Sequence, residues 1–213
     1  MKINRLTTII LLFILALALP MSTGAKKKVV DIYDLTLDEN LAYPEINNEK
    51  QATRVQDYQY DMAVALKKKN FDVELMRDGE VIVITLPAGQ LFNQNDTTLT
   101  DLGKHSLKPL LPLLINPGFY KMLLVMHSDN TGSNRYTQSL TGARVNAVFD
   151  WIDDNASVDF VVPYALGATD PVVNNNSIDN RRRNRRLEIY LVPGEVMIQQ
   201  AKKGRINIKT ISK

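Results

Sequence analysis

The sequence predicts an α/β (α+β) two-layer sandwich, in which strands and helices alternate along the chain and pack on one mixed sheet. The prediction rests on apolar runs of strand length, such as Val81–Leu86 and Tyr120–Met126, separated by segments whose apolar residues recur at helical spacing. The alternating part covers roughly 120 residues, enough for one domain with a single core.

Each strand is predicted from a short run of apolar and β-branched residues. The first two predicted strands are joined at Asp78-Gly79, a dipeptide typical of hairpin turns. The predicted strands are Asp72–Met76, Val81–Leu86, Tyr120–Met126, Val158–Leu166 and Leu187–Val192.

The helices are predicted from apolar residues three and four positions apart. In the first helix, Val55 and Met62 share one face, and Lys67–Lys69 suit its carboxyl end because cations complement the helix dipole. In the second, Pro109 and Pro112 leave the end of the helix undecided. The predicted helices are Asn48–Lys69, Thr100–Leu114, Arg135–Asp153 and a short one at Ile178–Asn184.

Residues 1–25 are predicted to be a cleaved secretory signal peptide. Lys2 and Arg5 form a basic start, Ile9–Leu19 an apolar core, and Pro20–Ala25 a small-residue stretch suited to cleavage at its end. A bilayer span needs about 20 apolar residues, so this core is too short to be a membrane helix. The alternative is an uncleaved membrane anchor, which the three lysines beyond the leader favour slightly.

The remaining chain divides into three predicted parts. Residues 26–70 form an N-terminal arm and an amphipathic helix, and the arm, up to about residue 46, is expected to be loosely ordered because its apolar residues show no sustained period. Residues 71–193 form the compact domain. Residues 194–213 form a basic C-terminal tail, of which Lys202–Lys213 is expected to be a solvated end.

Charge and composition exclude several classes of protein. Two of the 26 Lys and Arg residues lie in the leader, so the mature chain, with 23 acidic residues, carries a net charge of +1. This balance argues against a protein that binds nucleic acid over its whole surface. The absence of cysteine excludes disulfides, thiolate metal sites and a lipid-modified cysteine. No cofactor or metal is predicted, since His105 and His127 lack further ligands nearby in the sequence.

The strongest functional signal is a pair of opposite charges. Asp129 lies in the turn His127–Gly132 (HSDNTG) after a buried strand, and Arg144 lies on the apolar face of the next helix. A buried arginine cannot lose its proton, so it needs an anion. On spacing alone, a structural salt bridge with Asp129 is favoured over a shared cavity in which the two charges grip a zwitterion.

Three sequence blocks carry a resemblance to a known family. They are Leu91-Phe92 followed by Leu99, the HSDNTG turn running into Leu140–Arg144 (LTGAR), and Asn184–Ile189 (NRRLEI). In this order they resemble the OmpA-like peptidoglycan-binding domain, the carboxyl-terminal domain of outer-membrane protein A and its relatives, over about residues 80–193. The middle and last blocks together are specific, whereas each alone is weak.

The resemblance implies a non-catalytic clamp that binds the diaminopimelate residue of the peptidoglycan stem peptide. It implies that Asp129 and Arg144 hold opposite charges of one amino-acid centre. Asn93 and Thr137 line the same pocket by resemblance, at positions where the family often has aspartate and usually asparagine, respectively. Ser128 stands where the family has threonine. Thr137 has less reach and fewer donors than asparagine, so altered affinity is expected.

The expected function is therefore a peptidoglycan-binding module of the cell envelope that tethers the envelope or a partner to the wall. The expected location is the periplasm, in association with the outer membrane or cell wall. The expected partner is the diaminopimelate-containing stem peptide, and it is left open whether an envelope protein binds residues 26–70. The oligomeric state is left open.

Two other functions are weighed against this one. The first is a membrane-anchored structural or motility-type protein that uses the same domain as a wall anchor. The second is a wall hydrolase, disfavoured because no Gly-x-Ser-x-Gly or His-Glu-x-x-His motif occurs. The arginines between Arg181 and Arg186 are interpreted as structural elements with some attraction for the wall rather than as a nucleic-acid site.

Overall fold

The computed structural model describes residues 31–206, which form one five-stranded mixed sheet with strand order β1-β2-β5-β3-β4. β3 and β4 are parallel, and the other neighbouring pairs are antiparallel. The predicted α+β sandwich is thus confirmed, while the predicted signal peptide and residues 207–213 lie outside the described residues. The strands are β1 (Asp72–Met76), β2 (Val81–Pro87), β3 (Tyr120–His127), β4 (Val161–Gly167) and β5 (Arg186–Pro193).

Seven α-helices and one 3₁₀ helix are described in this part of the chain. Side-chain oxygens cap the amino termini of several of them, Asn48 before α2 and Ser133 before α5 among them. Within residues 31–206, no helix is long and apolar enough to cross a membrane. The helices are α1 (Leu37–Ala42), α2 (Glu49–Lys67), α3 (Ala88–Leu91), α4 (Asp101–Leu107), the 3₁₀ helix (Lys108–Leu114), α5 (Asn134–Asp153), α6 (Ile178–Asn184) and α7 (Glu195–Lys202).

The main core lies between one face of the sheet and the helices α2, α5 and α7. Alternate residues of the strands, such as Ile84 and Ile189, point into it, because successive side chains of a strand lie on opposite faces. Val55, Val148 and Met197 supply the facing helix surfaces, all fully buried. The opposite side of the sheet is called the outer face below.

Two predicted elements differ from the observed ones. The predicted helix Thr100–Leu114 ends as α4 at Leu107 and continues as a 3₁₀ helix, because Pro109 has no N–H to bond the His105 carbonyl and continue the α-helical pattern. The fourth strand begins at Val161, three residues later than predicted, since the chain from Val158 first makes a turn closed by the bond from the Val161 N–H to the Val158 carbonyl.

The sequence predicted a loosely ordered N-terminal arm, but residues 31–46 are ordered. Its helix α1 has a capping box, in which Thr36 and Glu39 satisfy each other's backbone N–H groups. The buried Lys121 of β3 donates hydrogen bonds to the carbonyls of Asn40 and Tyr43 and, at 2.8 Å, to the Asn40 side chain. Burial and the charge of Arg77 lower the pKa of Lys121 to about 8.

Arg77, in the hairpin turn, fixes the other end of the same arm. It donates to the Leu41 carbonyl at 2.8 Å and to the Pro44 carbonyl at 3.0 Å. The arm covers a small second core on the outer face, built around Leu123, Val125 and neighbouring residues. These contacts join residues far apart in the chain, and periodicity within the arm does not reveal them.

Residues 195–202, which the sequence analysis placed in the C-terminal tail, form α7. Met197 and Ala201 of this helix are fully buried, and Arg54 of α2 donates to the Ala201 carbonyl at 2.8 Å. Gly194 permits this turn, because a Cβ atom there would lie 2.0 Å from the Gly118 carbonyl oxygen. Helices α2 and α7 therefore share the core of residues 71–193, so the predicted limits do not mark the edges of the packed unit.

Candidate functional site

Asp129 lies in the turn that follows β3, and only 3% of its surface is exposed. One carboxylate oxygen accepts the backbone N–H of Thr131 at 2.8 Å, and the other forms an ion pair with Arg185. Burial raises the pKa of Asp129, but the bonds from Thr131 and Arg185 outweigh burial and lower the pKa overall. The side chain is therefore an ionised, fixed acceptor at neutral pH.

Arg144 lies in the middle of α5 and is buried, as the sequence predicted, with 6% of its surface exposed. Its Nε donates to the Asp96 carbonyl at 2.8 Å and one terminal nitrogen, Nη2, to the Asn93 carbonyl at 3.1 Å. Its guanidinium carbon lies 5.0 Å from the ring centre of Phe92, a cation–π distance. Arg144 thus holds the loop of residues 92–99 against α5.

Asp129 and Arg144 do not form a salt bridge with each other, contrary to the interpretation that spacing alone favoured. β5 runs antiparallel beside β3, so the residue just before β5, Arg185, lies next to the turn that follows β3. Arg185 takes the carboxylate, and Arg144 takes backbone carbonyls instead.

The pKa of Arg144 is lowered by burial, which is the largest effect, and by the positive charge of Arg185. The Tyr136 hydroxyl and the Asp96 carboxylate act in the opposite direction. Within residues 31–206, the second terminal nitrogen, Nη1, has no hydrogen-bond partner, and no carboxylate pairs with the guanidinium. Arg144 therefore retains a donor and a positive charge for an anionic group.

Asn93 lies in the same loop, with its side chain exposed. Its backbone carbonyl accepts from Arg144. The pKa of Asp96 is lowered mainly by hydrogen bonds from Thr98, and the Asn93 side chain adds to this effect. Tyr136 closes the loop from the other side by donating to Asn95 at 3.3 Å. Asn93 thus lies beside Arg144, at the surface of the candidate site.

Ser128 and Thr137 are both buried and meet at Gly167, the last residue of β4. The Ser128 N–H donates to the Gly167 carbonyl at 2.7 Å. The Thr137 hydroxyl donates to the Asn134 carbonyl at 3.1 Å and would lie 3.2 Å from a Cβ atom at position 167. Both residues pack the turn after β3 and the first turn of α5 against β4.

The sequence did not single out Arg185 as a site residue, although it lies in the Asn-Arg-Arg block. Alternation along an extended segment sends Arg185 and Arg186 to opposite sides. Arg185 pairs with Asp129, while Arg186 donates to Glu188 on the outer face at 2.7 Å. Arg181 donates to the Asn175 carbonyl at 3.0 Å, so three of these arginines have structural contacts.

His127, next to Ser128, belongs to a buried polar cluster on the outer face. Its Nε2 lies 3.2 Å from Glu188, whose pKa is about 2: burial raises this pKa, but bonds with His127, Tyr190 and Arg186 outweigh burial. In the described part of the chain, no group of three or more His, Asp or Glu side chains is placed to hold a metal ion.

Comparison with protein-family models finds no match. Two curated relatives are similar in sequence. The probable lipoprotein YiaD of Escherichia coli (strain K12) is 23% identical over 128 residues, which are 60% of this chain and 58% of YiaD. Outer membrane protein A of Escherichia fergusonii is 30% identical over 112 residues, which are 51% of this chain and 46% of that protein. The chain spans about half the length of these two relatives.

Two solved structures are similar in fold. A putative MotB-like protein from Desulfovibrio vulgaris superposes with a TM-score of 0.58 at 20% identity, covering 67% of this chain and 98% of that one. The cell wall anchor of the type VI secretion system (T6SS) from Pseudomonas aeruginosa superposes with a TM-score of 0.52 at 25% identity, covering 67% and 99%.

This part of the chain resembles the OmpA-like domain in sequence and fold. The predicted family resemblance is confirmed by the match to outer membrane protein A and by the shared fold. Within this OmpA-like domain, the buried acid and the buried arginine of the candidate site both lie at the end of the sheet where β3 finishes and β5 begins.

Proposed function

We propose that this chain is a non-catalytic peptidoglycan-binding module of the periplasm, which grips the diaminopimelate stem peptide through Asp129 and Arg144 and tethers the envelope or a partner to the wall. The observation that carries the proposal is that these two buried charges are not paired with each other. A ligand that bears an ammonium and a carboxylate on one carbon satisfies both.

Arg144 supports the carboxylate side of this clamp. Burying a guanidinium without an anion is costly, and within residues 31–206 Arg144 contacts only neutral carbonyls and an aromatic ring. A ligand carboxylate supplies the missing charge through a charge-assisted bond to the free Nη1, worth about 1.5–3 kcal/mol.

Asp129 supports the ammonium side. The N–H of Thr131 keeps the carboxylate oriented whether or not Arg185 is present. The Arg185 side chain is 37% exposed, so it can move into solvent when an ammonium takes its place. Asp129 itself is buried, so its carboxylate has to stay paired with a cation, and the ligand ammonium takes over that role from Arg185.

The comparisons support the same role. One structural neighbour is described as a cell wall anchor, and one sequence relative is an outer membrane protein. The Asn93 side chain, at the surface beside Arg144, is a further polar contact in the proposal, with Ser128 and Thr137 shaping the pocket beneath.

Sedimentation with purified sacculi tests the proposal. Wild type is expected to sediment with the wall, whereas Asp129→Asn and Arg144→Lys are expected to remain mostly in the supernatant. Asp154→Asn and Lys203→Gln, which change exposed charges away from the site, serve as matched controls. Circular dichroism of each variant shows whether it is folded. If both folded site variants sediment as wild type does, the clamp is absent and the two charges are only structural.

A further inference from the structure

A separate groove lies on the outer face of the sheet, beyond the surface that the arm covers. Its volume is about 490 Å³, within the range of small-ligand sites. The edge strand β1 forms one wall with Asp72 and Glu74, and α6 forms the other with Arg182 and Arg183. The groove therefore has one acidic and one basic wall.

Strand register sets the width of this groove. Glu74, Val83 and Tyr190 lie in one row across β1, β2 and β5, so the acidic wall is two strand spacings from β5. Two spacings are about 10 Å. The basic residues of α6 stand over the start of β5, which leaves room for one extended peptide between the walls.

The wall charges are free to bind a ligand. Asp72 and Glu74 are exposed, and neither has a hydrogen-bond or ion-pair partner within residues 31–206; the same holds for Arg183. Arg182 contacts only Asp179, at 3.6 Å, with both side chains largely exposed. This distinguishes Arg182 and Arg183 from the neighbouring arginines, which have structural contacts.

The shape and chemistry of the groove exclude other occupants. A second copy related by a two-fold axis would place one concave surface against another and leave a void. A sugar chain usually stacks on exposed aromatic rings, but the one aromatic residue among the described lining residues, Tyr190, is half-buried, and its hydroxyl is held by Glu188. Nucleic acid is repelled by the acidic wall.

We propose that this groove is a second ligand site, which binds a zwitterionic peptide with its ammonium against Asp72 and Glu74 and its carboxylates against Arg182 and Arg183. The choice of stem peptide as this ligand rests on the proposed function. Arg185 and Arg186 separate the two sites, since one faces Asp129 and the other faces the groove. One chain then binds two stem peptides of the same wall, and the second contact gains from the high local concentration.

Titration calorimetry with a soluble stem tetrapeptide that contains diaminopimelate tests this proposal. Wild type is expected to bind two peptides per chain. The double variant Glu74→Gln/Arg183→Gln, which keeps the net charge, is expected to bind one, and so is Asp129→Asn. The matched control is Asp57→Asn/Lys202→Gln, an exposed pair elsewhere that also keeps the net charge and should still bind two. Arg183→Gln alone should weaken the groove site on the order of tenfold, because it removes one charge-assisted contact.

Each result decides one site independently of the other. If the groove double variant binds as many peptides as wild type, the groove proposal is wrong whatever happens at Asp129. If Asp129→Asn changes nothing while the groove variant loses a peptide, the clamp is wrong and the groove stands. Analytical ultracentrifugation adds a third test, because a dimer that the groove variant dissociates would show that a second copy occupies the groove.

Discussion

At the scale of single residues, Arg185 controls access to the Asp129 carboxylate in the proposed clamp. It occupies the carboxylate of Asp129 and places a second positive charge near Arg144. The site therefore contains two guanidinium groups and one carboxylate, and Arg185, the more exposed of the two arginines, is the one that can move away. Arg185 acts as a competitor of the ligand ammonium rather than as a permanent structural partner.

Arg185→Gln is expected to bind the stem tetrapeptide at the clamp more tightly than wild type, by roughly fivefold, because the ligand ammonium then has no cation to displace from Asp129. The same variant should raise the pKa of Asp129, which loses a hydrogen bond and a nearby positive charge. Calorimetry and NMR titration of the carboxylate measure the two effects, with Lys203→Gln as control. Weaker binding would show that Arg185 contacts the ligand instead.

Glu188 makes stability depend on pH. Its pKa is lowered from 4.5 to about 2 in the folded protein, so its contribution is present above pH 4.5 and is lost as pH falls from there through about 2. The shift corresponds to roughly 3 kcal/mol. In urea unfolding at a series of pH values, Glu188→Gln should lose less free energy of unfolding below pH 4.5 than wild type does. Glu49→Gln, at an exposed position, should follow wild type; an unchanged pH profile in Glu188→Gln would contradict the assignment.

The N-terminal arm shows how one buried cation positions a whole element. Lys121 donates to three acceptors of residues 40–43, and Asn40 in turn donates to the Ile32 carbonyl at 2.7 Å and to Tyr164 at 2.6 Å. The arm is therefore attached to the outer face by polar contacts in addition to its few apolar ones.

Lys121→Met should loosen the arm without unfolding the sheet, because it leaves the buried Asn40 carbonyl and the partly buried Tyr43 carbonyl without their donor. Amide exchange at Asn40 and Tyr43, whose N–H groups bond within α1, is expected to accelerate on the order of tenfold. Lys104→Met, at a half-exposed position on α4, is the control. Unchanged protection in α1 would show that the apolar contacts alone hold the arm.

Helix α7 contributes to the core in the same way as the helices within the predicted domain limits. Met197→Ala should lower the free energy of unfolding by about 2–5 kcal/mol, because it removes a fully buried side chain and leaves a cavity. Gln199→Ala, on the exposed side of the same helix, should change stability by less than about 0.5 kcal/mol. Chemical denaturation measures both, and equal effects would mean that α7 is not part of the core.

At the scale of the whole molecule, two modest sites on one chain and many peptides on one polymer predict retention by multivalency. The apparent dissociation constant for intact sacculi should lie at least about a hundredfold below that for the soluble stem tetrapeptide. Glu74→Gln/Arg183→Gln should remove most of this difference while the clamp still binds free peptide. Binding that is equally strong to sacculi and to free peptide would show that the sites act singly.

Local sequence patterns were sufficient to predict most strands and helices of the fold. The runs around Ile84 and Leu124 predicted strands, and the spacing of Val148 and Ile152 predicted the long helix, because a buried face leaves a period in the sequence. The 3₁₀ helix was not predicted, since Pro109 changes the bonding pattern while the apolar spacing continues. Helix α1 was missed because its six residues are too few to show a period.

The candidate site, like the fold, was predicted only in part from the sequence. The sequence predicted that Arg144 would be buried, because burial of a helix face follows from periodicity, and it placed Asp129 in the turn that follows the preceding strand. Only the tertiary structure decided the partners: Asp129 pairs with Arg185, and Arg144 with loop carbonyls. Those partners come from strand order and loop path, which bring together residues about 50 positions apart. No local pattern records such pairings, and the groove between β1 and α6 arises from the same long-range arrangement.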